Sequence, residues 1–350
     1  MTNSNYWVQG LAAIALALVA ACAKEDANAP VGISGAVNVY SGRHYDSDLA
    51  LYDRFTSETG IKVNLIEAGG DALIERLAQE AEASPADLFI TADAGILWRA
   101  EQRGVFRAVD DETLEAKIPA QFRHPDGKWF GLTKRARIIV YNKKRGLPEG
   151  LETYEDLADP EFKGMICIRS SSNVYNQSLL ASLIAHNGEE AAEDWAGGVV
   201  TNFARKPQGN DTSQIEAIAA GICRLAVVNS YYVARYVGAK DLAKRKIGER
   251  VGVFFPNQDD RGAHVNISGA GVTAHAPNAE NAVKLLRFLL RDDVQRQFAL
   301  GNNEYPVVAG VPAEGPVAAF GAFKADDLPV AALGENQPTA VRIFDRVGWP

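Results

Sequence analysis

Sulfur and imidazole are scarce in this chain: three cysteines, two methionines and five histidines in 350 residues. No Cys-x-x-Cys pair occurs, which excludes a thioredoxin-like redox motif and a thiolate zinc site. Two methionines cannot build the adaptable Met-rich surface of a promiscuous binder. Gly-x-Ser-x-Gly, His-Glu-x-x-His, Walker A and Gly-x-Gly-x-x-Gly strings are all missing, which argues against hydrolase, kinase and dinucleotide chemistry. No apolar run reaches the ~20 residues of a membrane-crossing helix. Positive charge is in deficit too, with Lys plus Arg 36 against Asp plus Glu 44, a net −8. Such a chain does not grip nucleic acid or anionic lipid with its whole surface, although a local basic patch is not excluded. With 47% hydrophobic and 23% charged residues, it reads as a folded soluble protein, neither disordered nor fibrous. Its length fits one large domain or, more naturally, two domains of about 150 residues each.

Residues 11–21, LAAIALALVAA, form a short apolar run before Cys22. Its length and small-residue end read as a signal-peptide core, so residues 1–21 are expected to be an export signal. Val19-Ala20-Ala21-Cys22 resembles a bacterial lipoprotein box, in which Cys22 would be lipidated. The other reading makes Cys22 a bystander at the cleavage site. Residues 2–10 lack the usual Lys or Arg. Export would leave Cys167 and Cys223, both in apolar, strand-like runs, as an even pair able to form a disulfide or to stay as two buried thiols.

From residue 36 onward strands and helices alternate. AVNVYS, IKVNLIEA and ADLFITAD read as strands. Between and after them lie helical patterns: DLALYDRFTSET, capped by Asp46 or Ser47 and closed by Gly60; DALIERLAQEAEAS, with Leu73, Leu77 and Ala81 on one face; and ILWRAEQRG. The order predicts a parallel sheet with crossover helices. KWFGL and ARIIVYN read as a hairpin or one long strand. A second αβ block then runs from MICIRS to VGVFFP. AHVNISGAGVT is a further strand, and residues 278–300 are one long helix or two. The expected fold is α/β with two lobes, residues 36–137 plus 266–312 and residues 138–265 plus 313–350. Strands at 135–141 and 264–273 cross between the blocks as a hinge, and a ligand cleft lies between the lobes.

Chemistry concentrates in tyrosines. Ser41-Gly42-Arg43-His44-Tyr45-Asp46, Ser170-Ser171-Ser172-Asn173-Val174-Tyr175 and Asn229-Ser230-Tyr231-Tyr232 each fall where a strand ends and a helix begins. Open α/β sheets bind ligands at that edge, and helix N-termini favour anions, a phenolate included. Tyr6, Tyr52, Tyr141, Tyr154, Tyr236 and Tyr305 read instead as half-buried core residues. A free tyrosine ionises near pH 10, so a site built from several needs a strongly acidic cation to displace the protons. Iron(III), hard and trivalent, fits. Zinc would prefer His and Cys, calcium carboxylates and carbonyls, and cuprous ion Met and Cys.

The strings SGRHYDSD, TADAGILWRAEQRG, SSSNVYNQSLLASLIAHNG, NFARKPQGNDTSQIEAIAAGIC and NSYYVARY resemble the periplasmic iron(III)-binding proteins of ABC importers, the bacterial transferrins, and above all their cyanobacterial branch. The resemblance runs from about residue 36 to the end. It implies a type II periplasmic-binding-protein fold and a receptor, not an enzyme, that carries Fe(III) as transported ligand. It also implies a monomer in the periplasm, serving an ABC permease and ATPase. The implied metal ligands are His44, Tyr45, Tyr175, Tyr231 and Tyr232, although family members differ in using the histidine. Arg135 matches the arginine behind the ligands, where a guanidinium offsets the excess charge of four phenolates on one iron(III). Arg43 and Arg205 are further candidates for that role, or else structural ion-pair partners. Three rival readings remain: an oxyanion or small organic solute in the same cleft, an oxidative enzyme, and iron protection inside the cell without transport.

Overall fold

A computed structural model describes residues 35–350; the expected export signal 1–21, Cys22 and Tyr6 lie outside the described residues. The first block is β1 (Ala36–Ser41), α1 (Asp46–Thr59), β2 (Lys62–Glu67), α2 (Gly70–Glu80), β3 (Leu88–Thr91), α3 (Ala94–Gln102) and α4 (Glu112–Lys117). β1 pairs in parallel with both β2 and β3, and parallel neighbours require crossover connections, which α1 and α2 supply. α1 turns its apolar side, Leu51, Tyr52 and Phe55, into the core and ends at Gly60, whose φ of 71° is the left-handed geometry that glycine adopts without penalty. Burying Leu51 and Phe55 contributes roughly 1.5–3 kcal/mol each.

β4 (Phe130–Asn142) is one uninterrupted strand of 13 residues and the spine of the molecule. After it come β5 (Ile166–Cys167), α5 (Val174–Asn187), α6 (Glu189–Thr201), α7 (Asp211–Ala220), β6 (Leu225–Asn229), α8 (Ser230–Val237), α9 (Leu242–Arg250) and β7 (Val251–Phe254). The chain closes with β8 (Val265–Val272), α10 (Ala279–Leu289), α11 (Asp292–Asn302), β9 (Tyr305–Pro306) and α12 (Ala331–Arg346). The nine strands make a single curled sheet in the order β2-β1-β3-β8-β4-β6-β5, with β7 and β9 also on β4. Phe130–Ala136 of β4 pair with β8, and Arg137–Asn142 pair with β6 and β7. β4 and β8 are therefore the strands at which the two αβ blocks meet. This is the two-lobed α/β fold with a two-strand hinge expected from the sequence.

One hydrophobic cluster runs from Val37 and Phe89 through Trp129 to Ile218 and Val228. A second lies under α5, α6 and the end of α12, around Leu180, Trp195 and Phe344. Cys167 and Cys223 are joined by a disulfide that ties β5 to the chain entering β6. Of the two readings at 278–300, the structure has the pair of helices, α10 and α11. Two other local readings move. The first helix starts at Asp46, so its cap position falls to Tyr45; the nearby carboxylate of Asp48 is taken by Arg43. Ala81 does not share the buried face of Leu73 and Leu77: it terminates α2 with φ 47° and is exposed.

Candidate metal centre

β6 ends at Asn229, and the next residue opens α8, so Tyr231 and Tyr232 sit in that helix's first turn. Their rings lie 4.3 Å apart, tilted by 32°. Tyr175 occupies the second position of α5. The Tyr231 hydroxyl donates to the Tyr175 hydroxyl at 3.2 Å, which brings two helix starts 56 residues apart in sequence to one point. Tyr45 approaches from the other block, at the start of α1. Arg235, one turn into α8, ties the group together: its guanidinium lies 5.1 Å from the ring centres of both Tyr231 and Tyr232 and 5.9 Å from that of Tyr45.

Burial is the main influence on these phenols. It pushes the Tyr231 hydroxyl well above its ordinary value, and neighbouring Tyr175, Tyr45 and Tyr232 push the same way, because a second phenolate there would repel the first. Burial also raises Tyr175, with Tyr232 adding to the rise and Arg135 opposing it. Tyr45 is raised by burial and then by Glu304, against the pull of Arg43, Arg135 and Arg235. At neutral pH Tyr45, Tyr175 and Tyr231 are therefore neutral phenols inside a ring of guanidinium charge.

Those guanidinium groups are largely engaged. Arg43 is fully buried, paired with Asp48 at 2.8 Å and Glu304 at 3.3 Å, and stacks 4.8 Å from the Tyr45 ring. Arg135 donates to Ser268 Oγ at 3.2 Å and to the Ala92 carbonyl, and lies 4.0 Å from buried Asp93. Arg137 lies 5.8 Å from the Tyr175 ring and pairs with Asp211 at 2.9 Å. Arg169 reaches the same Asp211 at 3.4 Å and sits 5.5 Å from the Tyr175 ring.

Two expected residues lie apart from this cluster. The His44 side chain is 57% exposed and its Nδ1 faces Glu67 at 3.9 Å. Arg205 donates to Gln214 Oε1 at 3.2 Å and the Ser213 carbonyl at 3.5 Å, which anchors it to α7. Tyr52, Tyr154, Tyr236 and Tyr305 are buried and Tyr141 is partly buried, as expected of core residues. The sequence reading missed Arg137, Arg169 and Arg235. Helical spacing carried a signal for Arg235, since it stands four and three residues after the tyrosine pair. Arg137 follows Arg135 by the two-residue period of a strand and so shares its face. Among the described residues, no group of three or more His, Cys, Asp or Glu side chains could hold a metal, so a cation in this cleft would meet phenol oxygens.

A two-lobed α/β fold with a hinge of two strands and a polar cleft defines a solute receptor. The chain belongs to the bacterial extracellular solute-binding proteins, whose family model matches residues 83–320. It is 53% identical to iron uptake protein A1 of Synechocystis over 89% of this chain and 87% of that protein. Among solved structures, it resembles the Trichodesmium protein IdiA, or FutA, in complex with iron and citrate. That likeness has a TM-score of 0.88 and 54% identity, over 90% of this chain and 100% of the other. It also resembles apo FutA2 of Synechocystis, with a TM-score of 0.86 and 51% identity over 90% and 99% of the two chains.

Proposed function

We propose that this protein is a ferric-iron receptor that captures Fe(III) between its lobes through tyrosine phenolates and delivers it to an ABC-type importer. The observation that carries the reading is the convergence of Tyr175, Tyr231 and Tyr232 on one point, with Tyr45 facing them across Arg235. Four phenolates on a trivalent ion leave one excess negative charge, which the surrounding arginines offset. The three tyrosines of the second block take the ion first and release their protons. Closure of the hinge then adds Tyr45. The lobes divide at residues 36–137 plus 266–312 and 138–265 plus 313–350, with α12 lying against α3 and α5. Arg135 stabilises the loaded site from behind, Arg43 orients Tyr45, and Arg205 braces α7. His44 joins only if its side chain swings away from Glu67.

The iron uptake proteins among the relatives support the cargo, and the family supports an extracytoplasmic, non-enzymatic role. The receptor acts as a periplasmic monomer, held to a membrane where Cys22 is lipidated, and serves a permease and its ATPase. The alternative cargo, an oxyanion or small organic solute, fits less well. Arg43, Arg135 and Arg137 spend their hydrogen bonds on protein acceptors and have few left for a ligand. Titrating metal-stripped protein with iron(III) citrate tests the reading. A saturable visible charge-transfer band near one equivalent, absent when Tyr175, Tyr231 and Tyr232 are all changed to Phe, is expected. No band at neutral pH would transfer the site to the anion reading.

A further inference from the structure

The far end of the second block carries a feature that iron capture does not use. Residues 143–145, Lys-Lys-Arg, follow β4, and the Lys143 amide donates to the Arg250 carbonyl at 2.9 Å, so the end of α9 lies against them. Residues 240–250, KDLAKRKIGER, add five more cations. The two segments thus carry eight cations and two acids, Asp241 and Glu249, in a chain whose net charge is −8. One of those acids is already engaged, since Asp241 caps α9 by accepting from the Ala243 and Lys244 amides. Among the described residues, none of the eight makes an ion pair, whereas surface arginines elsewhere such as Arg54, Arg103 and Arg291 all do. Leaving eight like charges together and unpaired is unfavourable unless something negative comes to them.

Four of the eight cations, Lys143, Lys144, Arg145 and Arg250, line a groove of 720 Å³ together with Gly221 and Glu249. Four of the seven large apolar side chains exposed among the described residues, Leu147, Ile222, Val237 and Leu242, lie within three residues in sequence of one of these cations or of Gly221 in the groove. Basic groups interleaved with exposed aliphatics are the composition of a surface that rests on lipid headgroups. The groove also faces away from the cleft: five residues of β4, about 17 Å, separate Arg137 beneath Tyr175 from Asn142 at the groove. Docking there leaves the tyrosines accessible and the first block free to move.

We infer that this basic end of the second block docks the receptor on an anionic lipid bilayer, with its cations on the headgroup charges and Leu147, Ile222 and Leu242 at the headgroup boundary. The test is sedimentation of the full chain with phosphatidylcholine vesicles, with and without phosphatidylglycerol. The wild-type protein is compared with the variant Lys144→Glu/Lys244→Glu/Lys246→Glu. Both carry the same N-terminal apolar segment, so the difference between them reads the patch alone. The expected result is partitioning at least about tenfold stronger to the phosphatidylglycerol vesicles, weakened by high salt and lost in the variant. The variant's iron titration, unchanged, would show that it still folds. Equal partitioning to both vesicle types, or a variant that sediments like the wild type, would overturn the inference. So would a wild type without lipid preference whose variant binds iron yet fails in iron uptake, because the patch would then serve an acidic protein.

Discussion

Burial keeps the Tyr231 hydroxyl protonated, and its neighbour Tyr175 receives its hydrogen bond. Exchange of Tyr231 for Phe therefore separates ligand chemistry from packing, since the ring stays and only the oxygen goes. Iron affinity is expected to fall by about a hundredfold or more, because loss of even an outer-layer partner costs 10–100-fold at metal sites. Metal-free stability should change by only about 1 kcal/mol, the worth of one neutral hydrogen bond. Competition against citrate and thermal melts of the same variant read both; unaltered affinity would remove Tyr231 from the ligand set. The protonated resting state also fixes the pH dependence. Each phenol that ligates releases one proton, so apparent iron affinity should rise about tenfold per pH unit for each ligated tyrosine across the neutral range. The metal-free protein behaves in the opposite sense at alkaline pH. Its buried phenols have values raised above the unfolded 10.0. Their contribution to stability is complete below pH 10 and is lost as pH climbs toward the folded-state values. Melting temperature against pH, with and without iron, should show the alkaline loss in the metal-free protein and a smaller loss in the loaded one.

Among elements, the starts of α5, α7 and α8 form one connected structure. Asp211, the first residue of α7, accepts from Arg137 at 2.9 Å and from the Asn229 amide at 2.8 Å, directly before α8. Asp211→Ala would leave a buried guanidinium without its counter-charge, a loss of about 3–5 kcal/mol. Chemical denaturation should register that loss, together with weaker iron binding as the start of α8 loosens. The disulfide acts on the same block from the other side. Cys167 and Cys223 close a loop of 56 residues, so replacing both with Ala should lower stability by about 4 kcal/mol in the chain-entropy model. Each cysteine stands eight residues before its tyrosine, Cys167 before Tyr175 and Cys223 before Tyr231, and iron affinity in the folded variant is expected to hold. Much of this was legible in the sequence: the strand–helix junctions placed the tyrosines at one sheet edge, and the pair of cysteines in strand-like runs allowed their bond. What was not legible depends on side-chain direction. Strand and helix periods locate His44 one residue from Tyr45, but only the folded backbone turns the imidazole toward Glu67. Asp211 reads as an ordinary helix-start acid until Arg137, 74 residues away, arrives beside it.

At the scale of the whole molecule, β4 and β8 join the two blocks, and side-chain contacts also cross between them. Ser178 on α5 donates to Asp93, the cap of α3, at 3.2 Å. Gln337 on α12 donates to Gln177 at 3.0 Å and accepts from Arg99 on α3. Tyr45 faces the other tyrosines across Arg235, and on the proposed ligand set it gains a strong partner only when the cation arrives. A ligand shifts such an equilibrium only by the difference in its affinity for the two states, and on the proposed ligand set that difference is the extra bond from Tyr45. Iron should therefore reduce the radius of gyration of the wild-type protein in small-angle scattering. In Tyr45→Phe the three remaining phenolates still hold the ion and produce a charge-transfer band, but the scattering curve should stay that of the metal-free form. A Tyr45→Phe variant that contracts on iron as fully as the wild type would show that closure draws its energy from contacts other than this phenolate.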